Sequence, residues 1–313
     1  MSAIRILERE MTDEEFARRC AGSDEYTIEQ GNPIQTSEQF SFVALDGGTY
    51  IGCATGVAYR NGPIYNGWAY LSELFIEKPY RGRGLGAAIL CKLEERVAGL
   101  GITNIWTRTA GYEAPGFYRR QGYQVCFELE NSYFTGHSHV GLRKALAPPA
   151  SPGSRGDVGA SDGQSGSTSA IRIVEREMTA AESARMNAGF DEYTLEYGNP
   201  ILTSERHGFV ALDGDAFIGC ASGLASKDDL VYANWFVLTD LFAEKAYRGQ
   251  GLGTALLQKM EESVTALDCG NISTWIAGYE ALGFFSKHGY EIFCELENWY
   301  ATGHGRVGLR KTV

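Results

Sequence analysis

Residues 74 to 101 read LFIEKPYRGRGLGAAILCKLEERVAGLG and indicate a strand, a turn and a helix in succession. An apolar, strand-like run ends at Ile76 and is followed by a turn rich in glycine and arginine. Apolar residues then recur at helical spacing, at Leu85, Ile89 and Leu93. Glycines in such a turn let the backbone curl tightly and point successive N–H groups at one spot, beside the positive end of the helix dipole. The stretch is therefore suited to bind a phosphate or pyrophosphate group.

Two common phosphate-binding motifs fit this stretch poorly. A P-loop requires Gly-Lys followed by Ser or Thr, and that sequence is absent. The run GRGLGA, residues 82 to 87, matches the loose dinucleotide-binding pattern G-x-G-x-x-A. However, it lies late in its domain, follows a polar turn, and has no acidic residue at the end of the next strand. A third arrangement remains, in which a strand, an Arg-x-x-Gly-x-Gly turn and a helix follow one another.

The chain of 313 residues contains an internal duplication. Ser2 aligns with Ser169, and the offset stays constant to the end of the chain without any insertion. The duplication predicts two domains of one fold, 1–146 and 169–313. The residues between them, 147–168, are rich in Ala, Pro, Gly and Ser and predict a flexible linker. We expect the two repeats to form an intramolecular pseudo-dimer.

Each repeat is predicted to be an α/β domain with a mixed sheet. SAIRILERE predicts a first strand, and the next helix is capped by Thr12 with Glu15 three residues later. Residues 24–38 predict a short helix and a loop, and Asp46-Gly47 predicts the turn of a hairpin. Strands then follow at 67–77, 102–110, 123–131 and 139–146, with helices at 81–101 and 112–122.

Charge and composition narrow the function. The formal net charge is −11, which disfavours nucleic-acid binding and suits a cationic small molecule. The seven cysteines show no C-x-x-C spacing, which predicts neither a disulfide framework nor a metal site. No apolar run reaches the length of a membrane span, and the N-terminus lacks the apolar core of a signal peptide. We therefore expect a cytoplasmic protein with no membrane partner.

A second motif lies in EAPGFYRRQGY, where Ala114, Phe117 and Tyr118 are followed by Gly122 and Tyr123. Together with the Gly-rich turn, this motif resembles the GNAT superfamily of N-acetyltransferases over the whole length of each repeat. The turn contributes Arg81, Gly84 and Gly86, which are repeated as Arg248, Gly251 and Gly253. The resemblance implies two tandem domains, each with a mixed sheet that is splayed at its centre and flanked by about four helices.

The resemblance also implies acetyl-CoA as acetyl donor, held between two splayed parallel strands. These would be 68–77 and 102–109, and 235–244 and 269–276 in the second repeat. The Gly-rich turn would bind the pyrophosphate, and the strand edge before it would bind the pantetheine arm. The implied cofactor-binding residues are Leu74, Phe75, Ile76, Arg81, Gly82, Arg83, Gly84, Leu85 and Gly86, with Leu241, Phe242, Ala243, Arg248, Gly249, Gln250, Gly251, Leu252 and Gly253 in the second repeat.

For catalysis, the resemblance implies that Tyr118 protonates the leaving thiolate, whereas the second repeat has Phe285 there. The candidate bases are Glu73 and its equivalent Asp240, acting directly or through a water molecule. Regular strand alternation places Glu73 on the same face as Leu71 and leaves its direction open. Many family members have Asn seven residues before the tyrosine, where this chain has glycine. The second repeat is therefore expected to bind cofactor with little or no turnover.

The resemblance implies that the acceptor binds between the segment after the first helix and the loop before the last strand. Both segments are rich in carboxylates, amides and aromatic rings, which predicts a small cationic amine, such as an aminoglycoside-like antibiotic or a polyamine. A protein or peptide acceptor, and a non-catalytic module that senses acetyl-CoA, remain alternatives. The candidate substrate-binding residues are Glu25, Tyr26, Glu29, Asn32, Glu128 and Tyr133.

Overall fold

The computed structural model of the chain describes residues 4–147, 171–229 and 231–313. Apart from its first position, the predicted linker 147–168 lies outside these residues. Within the described part of the chain, no helix is long and apolar enough to cross a membrane.

The first repeat has the predicted order of elements, with one difference. Its first helix continues through 24–29 as a single helix, and the residues from Gln35 onward form a strand instead of a loop. A capping box starts this helix, because Thr12 and Glu15 each accept a hydrogen bond from the other's backbone N–H. The elements are β1 (Ile4–Glu8), α1 (Asp13–Glu29), β2 (Gln35–Asp46), β3 (Thr49–Asn61), β4 (Ile64–Ile76), α2 (Leu85–Gly99), β5 (Asn104–Ala110), α3 (Pro115–Arg120), β6 (Gln124–Leu129) and β7 (His139–Ala145).

The second repeat has the same order of elements. A short 3₁₀ turn precedes the helix after the Gly-rich motif in both repeats, at Lys78–Tyr80 and Lys245–Tyr247. With it, the described part of each repeat has three α-helices and one 3₁₀ turn, as the resemblance implies. The elements are β8 (Ile171–Glu175), α4 (Ala180–Glu196), β9 (Thr203–Asp213), β10 (Ala216–Lys227), β11 (Tyr232–Ala243), α5 (Leu252–Ala266), β12 (Asn271–Ala277), α6 (Leu282–Lys287), β13 (Glu291–Leu296) and β14 (Arg306–Thr312).

The strands form two mixed sheets of seven, and each sheet takes its outermost strand from the other repeat. The orders are β1-β9-β10-β11-β12-β14-β13 and β6-β7-β5-β4-β3-β2-β8. β1 runs antiparallel to β9, with Ile4 opposite Asp213. β8 runs antiparallel to β2 in the same way, with Ile171 opposite Asp46. The first strand of each repeat thus completes the sheet of the other repeat.

The compact units of the structure consequently divide the chain differently from its repeats. Unit 1 consists of Met1–Ile34, Phe127–His139 and Gly198–Val313, and unit 2 consists of Gln35–Cys126 and Val140–Tyr197. Unit 1 therefore contains α1, and unit 2 contains α4. The exchange of β1-α1 and β8-α4 is invisible to sequence alignment because both copies keep the same local pattern.

Close backbone contact fixes each exchanged helix on its new unit. In unit 2, Gly189 of α4 lies directly against the ring of Phe75 in β4, and a Cβ atom at this position would overlap that ring. In unit 1, Gly22 of α1 lies in the same way against Phe242. Glycine is needed at both positions because the helix backbone must approach the ring closely. The sheet's other face packs on α2 in unit 2 and on α5 in unit 1, where the central helix residues are fully buried.

The predicted splay is confirmed in unit 2. The parallel pairing of β4 and β5 starts with Trp68 opposite Asn104 and ends with Leu71 opposite Thr107, although both strands continue beyond that point. The pairing of β11 with β12 in unit 1 is shorter by one residue pair and ends with Val237 opposite Ser273. Each repeat therefore has two parallel strands that part at their carboxyl ends.

A β-bulge in β4 decides which side chains face which helix. Leu71 pairs with Gly56 and Glu73 pairs with Thr55, so one extra residue lies between them. The extra residue reverses the alternation, and Glu73 comes to lie on the face opposite Leu71. Leu71 points into the core against α2, whereas Phe75, on the same face as Glu73, packs on α4. Regular alternation places Glu73 on the face of Leu71, and the bulge overturns that placement.

Candidate active site

The diverging strands of unit 2 border a cavity of about 640 Å³. Its wall is formed by the last residues of β4 and β5, the Gly-rich turn, the start of α2, α3 and the face of α4. This volume lies within the range of about 300–1,000 Å³ that is usual for small-molecule sites. The cavity is therefore large enough to hold part of a cofactor together with a small acceptor.

The Gly-rich turn has a conformation that only glycine adopts readily. Gly82 and Gly84 have φ angles of 75° and 78°, and Gly84 caps the start of α2. A Cβ atom built on either glycine finds no other atom within 4 Å. Gly249 and Gly251 repeat this geometry in unit 1, with φ angles of 73° and 87°. Each turn thus leaves a bare backbone cradle at a helix N-terminus, which fits a pyrophosphate group.

The arginine of the motif ties the turn to the end of the strand. Arg81 Nε donates to the carbonyl oxygen of Ile76 at 2.8 Å, and its guanidinium carbon lies 4.8 Å from the ring centre of Tyr193. In unit 1, Arg248 Nε donates to Ala243 at 2.9 Å in the same way. The arginine therefore shapes the cradle, and a direct contact with the cofactor stays a prediction.

The implied cofactor residues do not all lie on the cavity wall. Arg83 stacks over Tyr80, and the side chain of Leu85 is buried in the core. In unit 1, Gln250 donates to the carbonyl of Ala246, and Leu252 is buried like Leu85. Those on the wall of unit 2 are Leu74, Phe75, Ile76, Arg81, Gly82, Gly84 and Gly86.

Tyr118 lies on the cavity wall with only 5% of its surface exposed. Its hydroxyl shares a hydrogen bond with Thr107, and burial raises the pKa of Tyr118 well above the ordinary value near 10. The phenol therefore carries its proton at neutral pH, as an ordinary tyrosine does. Tyr118 thus has the properties of a proton donor.

Glu73 lies on the same wall and is half-buried. Burial, and after it the negative charge of Glu113, raise the pKa of Glu73. Within the part of the chain that the structure describes, Glu73 forms no ion pair. Glu113 accepts hydrogen bonds from Thr109 Oγ1 at 2.7 Å and from the backbone N–H of Ala110 at 3.0 Å. The carboxylate of Glu73 is therefore available to accept a proton.

Asp240, the equivalent of Glu73 in unit 1, has very different surroundings. It is buried and ion-paired with Arg19, and Arg206 Nη1 lies 3.5 Å from its second oxygen. That oxygen also accepts hydrogen bonds from Ser222 at 2.6 Å and Thr239 at 2.7 Å. Both oxygens thus have partners, so Asp240 is held as a structural ion.

The two cations around Asp240 have no counterpart in unit 2. The positions equivalent to Arg19 and Arg206 are occupied there by Met186 and Gln39. Phe285, the equivalent of Tyr118, is 3% exposed and packs edge-on against Tyr290. The two units therefore share the backbone cradle and differ in both candidate proton-transfer groups.

None of the six predicted substrate residues lies on the cavity wall of unit 2, because all of them belong to unit 1. Glu25 pairs with Arg18 at 2.8 Å, and Glu29 pairs with Lys245 at 2.7 Å. Tyr26 lies under the guanidinium of Arg248 at 4.9 Å.

The other three predicted substrate residues are Asn32, Glu128 and Tyr133. The side-chain oxygen of Asn32 accepts hydrogen bonds from the backbone N–H and hydroxyl of Thr302. The hydroxyl of Tyr133 lies 3.1 Å from Nδ1 of His139, and Glu128 is exposed. The exchange of α1 explains why the segment after the first helix does not border the first repeat's own cavity.

Phe190, Tyr193 and Glu113 are among the residues on the cavity wall that sequence reasoning did not single out. Phe190 and Tyr193 belong to α4 of the second repeat, so no pattern in the first repeat points to them. Tyr193 is the equivalent of Tyr26, which the sequence does single out. The sequence therefore indicated that a tyrosine at this position of the repeat contributes to a site, but it did not indicate which unit's site.

Comparison with known proteins agrees with this geometry. Residues 4–123 match the model of the Acetyltransferase (GNAT) family, and residues 204–292 match that of the Acetyltransferase (GNAT) domain. Together the two matches span more than half of the chain. A search of the curated proteins finds no match.

Solved structures give further matches. An acetyltransferase from Bacillus cereus is 21% identical over 44% of this chain and 96% of its own, with a TM-score of 0.37. Naa50 from Arabidopsis thaliana, in complex with a bisubstrate analogue, is 20% identical over 34% and 72%, with a TM-score of 0.30. An aminoglycoside 6'-N-acetyltransferase complexed with coenzyme A is 23% identical over 39% and 78%, with a TM-score of 0.29.

The chain belongs to the GNAT acetyltransferases and carries the domain twice. It is an N-acetyltransferase enzyme that uses acetyl-CoA as its acetyl donor.

Proposed function

We propose that the cavity of unit 2 is the working transfer site, and that it acetylates a primary amine of a small cationic molecule. One observation carries the proposal: Glu73, Tyr118 and the Gly82–Gly84 turn share the wall of a single cavity. A base, an acid and a phosphate cradle are the groups that acetyl transfer from a thioester to an amine requires.

Two parts of the chain would hold the acetyl donor. The backbone of the Gly-rich turn would hold the pyrophosphate, and the unpaired edge of β4 at Leu74–Ile76 would hold the pantetheine arm. When bound, acetyl-CoA supplies the thioester carbonyl carbon, to which the amine nitrogen bonds as the carbon–sulfur bond breaks. The products are the acetylated amine, CoA as a thiol, and one proton.

The side chains of the cavity would move the two protons. Glu73 takes a proton from the acceptor's ammonium, and its raised pKa brings its affinity for that proton closer to that of an amine. Tyr118 delivers the proton of its hydroxyl to the leaving sulfur. The phenolate then takes up a proton, which balances the second proton that the nitrogen loses as the amide forms.

The acidity of the protein and the two carboxylates on the cavity wall support a cationic acceptor. The net charge of −11 attracts cations, and Glu73 and Glu113 are the carboxylates on the cavity wall. A small polycation such as an aminoglycoside or a polyamine was expected from carboxylates that lie in unit 1. The carboxylates on the cavity wall itself support the binding of one ammonium group.

For unit 1 we propose cofactor binding without turnover. Its glycine cradle matches that of unit 2, whereas Asp240 is tied to Arg19 and Phe285 has no proton to donate. In this arrangement the second repeat contributes α4 to the working site, and the site of unit 1 does not catalyse acetyl transfer.

The test is Tyr118→Phe in the full chain. We expect CoA release to fall by about 10²- to 10⁴-fold, the usual contribution of a general acid, while acetyl-CoA still binds. Tyr123→Phe is the matched control, since Tyr123 is equally buried, packs edge-on against Tyr118 with 5.4 Å between ring centres, and lies off the cavity wall. If unit 1 worked equally well, Tyr118→Phe would lower the rate only to about half, which would contradict both assignments.

A further inference from the structure

The side of β4 that faces α4 forms one end of the cavity, which we call the acceptor chamber. Its members are Glu73, Phe75, Glu113, Phe190 and Tyr193. The bulge in β4 turns Glu73 and Phe75 toward this end, and α4 closes it. The chamber therefore contains the proposed base together with two residues of the second repeat.

Three aromatic rings give the chamber an apolar wall. The ring of Phe190 packs edge-on against Phe75, with 5.5 Å between the ring centres. Tyr193 is held in place by the guanidinium of Arg81, 4.8 Å from its ring centre. Rings arranged at an angle to one another present both faces and edges, so they favour an aromatic or bulky apolar group between them.

The chamber contains two carboxylates, Glu73 and Glu113, and the guanidinium of Arg81 lies beside its Tyr193 ring. Glu73 and Glu113 are close enough for the charge of Glu113 to raise the pKa of Glu73, and Glu113 acts on Tyr193 in the same sense. One ammonium group placed between the carboxylates relieves this repulsion. The pair therefore favours a cationic group on the acceptor.

The other carboxylates nearby are already neutralised. On α4, Glu192 pairs with Arg185 at 2.8 Å and Glu196 pairs with Lys78, and neither glutamate lies on the cavity wall. A second ammonium group on the acceptor would meet the aromatic rings and the arginines of the wall, Arg81, Arg108 and Arg120, and burying a charge without a counter-ion is costly. The chamber thus disfavours a polycation.

One of the three rings, that of Phe190, is a property of this unit and not of the repeated fold, since Phe75 and Tyr193 have the aromatic equivalents Phe242 and Tyr26. The residue equivalent to Phe190 in unit 1 is Ser23, and the residue equivalent to Met186 is Arg19. Both replacements make that surface of unit 1 more polar while the fold is kept. The size and apolar character of Phe190 are therefore not required to build the domain.

We propose that the acceptor is a monocationic primary amine with an aromatic or bulky apolar body, and that Phe190 and Tyr193 determine this specificity. The inference rests on the proposed function of unit 2 and names its substrate class. The ammonium lies against Glu73 and Glu113, and the body packs against Phe75 and Phe190. The second repeat thereby selects the substrate that the first repeat acetylates.

The test compares kcat/KM for 2-phenylethylamine, spermidine and kanamycin in the full chain, measured by CoA release. We expect 2-phenylethylamine to exceed both polycations by at least about tenfold, the effect of a well-filled apolar pocket. Phe190→Ser, which installs the residue of the other unit, should lower kcat/KM for 2-phenylethylamine by about ten- to hundredfold and change that for spermidine little. Phe190→Leu should keep most of the activity because it keeps an apolar wall.

Each outcome decides the inference. Faster acetylation of spermidine or kanamycin overturns the inference and leaves the proposed function intact. An equal loss for all acceptors in folded Phe190→Ser also overturns it, because that result shows a structural role. If acetyl-CoA binds and no amine is acetylated, the proposed function fails and the inference fails with it.

Discussion

At the scale of single residues, two nearly identical domains are separated by a few side chains. The backbone cradle of glycines is the same in both, with closely similar φ angles. The carboxylate on the splayed strand is present in both, yet Arg19 stands beside Asp240 where Met186 stands in unit 2. A candidate base is therefore defined by its neighbours, because a carboxylate already bound to a guanidinium is a poor proton acceptor.

The raised pKa of Glu73 predicts the pH dependence. A base must be deprotonated to act, so kcat/KM should fall as the pH drops through the raised pKa of Glu73, above the ordinary value near 4.3. Glu113→Gln removes the neighbouring charge, which lowers the pKa of Glu73 and moves this acid limb to lower pH. The measurement is kcat/KM against pH for the unchanged protein and for Glu113→Gln with the same acceptor. The titration of the acceptor's amine then affects both profiles equally.

Glu95→Gln is the control for this shift, since Glu95 lies on the exposed side of α2, paired with Lys92, and should leave the limb in place. An acid limb that stays fixed in Glu113→Gln would show that Glu73 does not carry it.

At the scale of elements, the contact of α4 with β4 is the one that builds the acceptor chamber. It depends on Gly189 against Phe75 and on the paired hydrogen bonds from Arg185 to Glu77, at 2.6 and 2.8 Å. The bulge in β4 matters equally, because it turns Glu73 and Phe75 toward this helix. Neither the contact of Gly189 with Phe75 nor the bulge changes whether its segment is a helix or a strand.

Gly189→Ala should destabilise the protein even though alanine favours a helix. The added methyl group overlaps the ring of Phe75, and overpacking of this kind costs about 1–3 kcal/mol, more than the helix propensity gained. Gly99→Ala is the matched control, because that helical glycine has open space around it, and alanine there should stabilise by about 0.5–1 kcal/mol. Denaturant unfolding measures the change in the free energy of unfolding for each variant. Changes of the same sign in both variants would contradict the packing argument.

At the scale of the whole molecule, each compact unit is assembled from both repeats. β8 and α4 complete unit 2, and β1 and α1 complete unit 1. The covalent fusion of the repeats therefore ensures that the exchanged segments are always present together. It also allows Phe190 to differ from its equivalent Ser23, while Tyr193 and its equivalent Tyr26 stay the same.

This assembly predicts the behaviour of a nicked chain. If a protease site is placed between residues 147 and 168 and cut, the two fragments should elute together in size-exclusion chromatography and keep acetylating the acceptor. The reason is that β8 stays paired with β2, and Arg185 stays paired with Glu77, after the cut. The uncut protein is the control, and fragments that separate without denaturant would contradict the exchange.

Much of this protein was determined by local sequence pattern. The order of strands and helices, the glycine cradle and the difference between Tyr118 and Phe285 all follow from residues close together in the chain. Local chemistry decides them, since positive φ angles need glycine and proton donation needs a hydroxyl group. The duplication and the family also follow from the sequence, because the motifs are contiguous.

Only the tertiary structure decided which residues share a site. A strand or helix carries the same pattern whichever unit it joins, so the exchange of β1-α1 and β8-α4 has no signature in the repeats. It moved Glu25, Tyr26, Glu29 and Asn32 into unit 1 and brought Phe190 and Tyr193 to the cavity. The bulge that turns Glu73, and the Arg19 that binds Asp240, are likewise long-range contacts. The sequence thus determined the chemistry that is possible, and packing decided where it can occur.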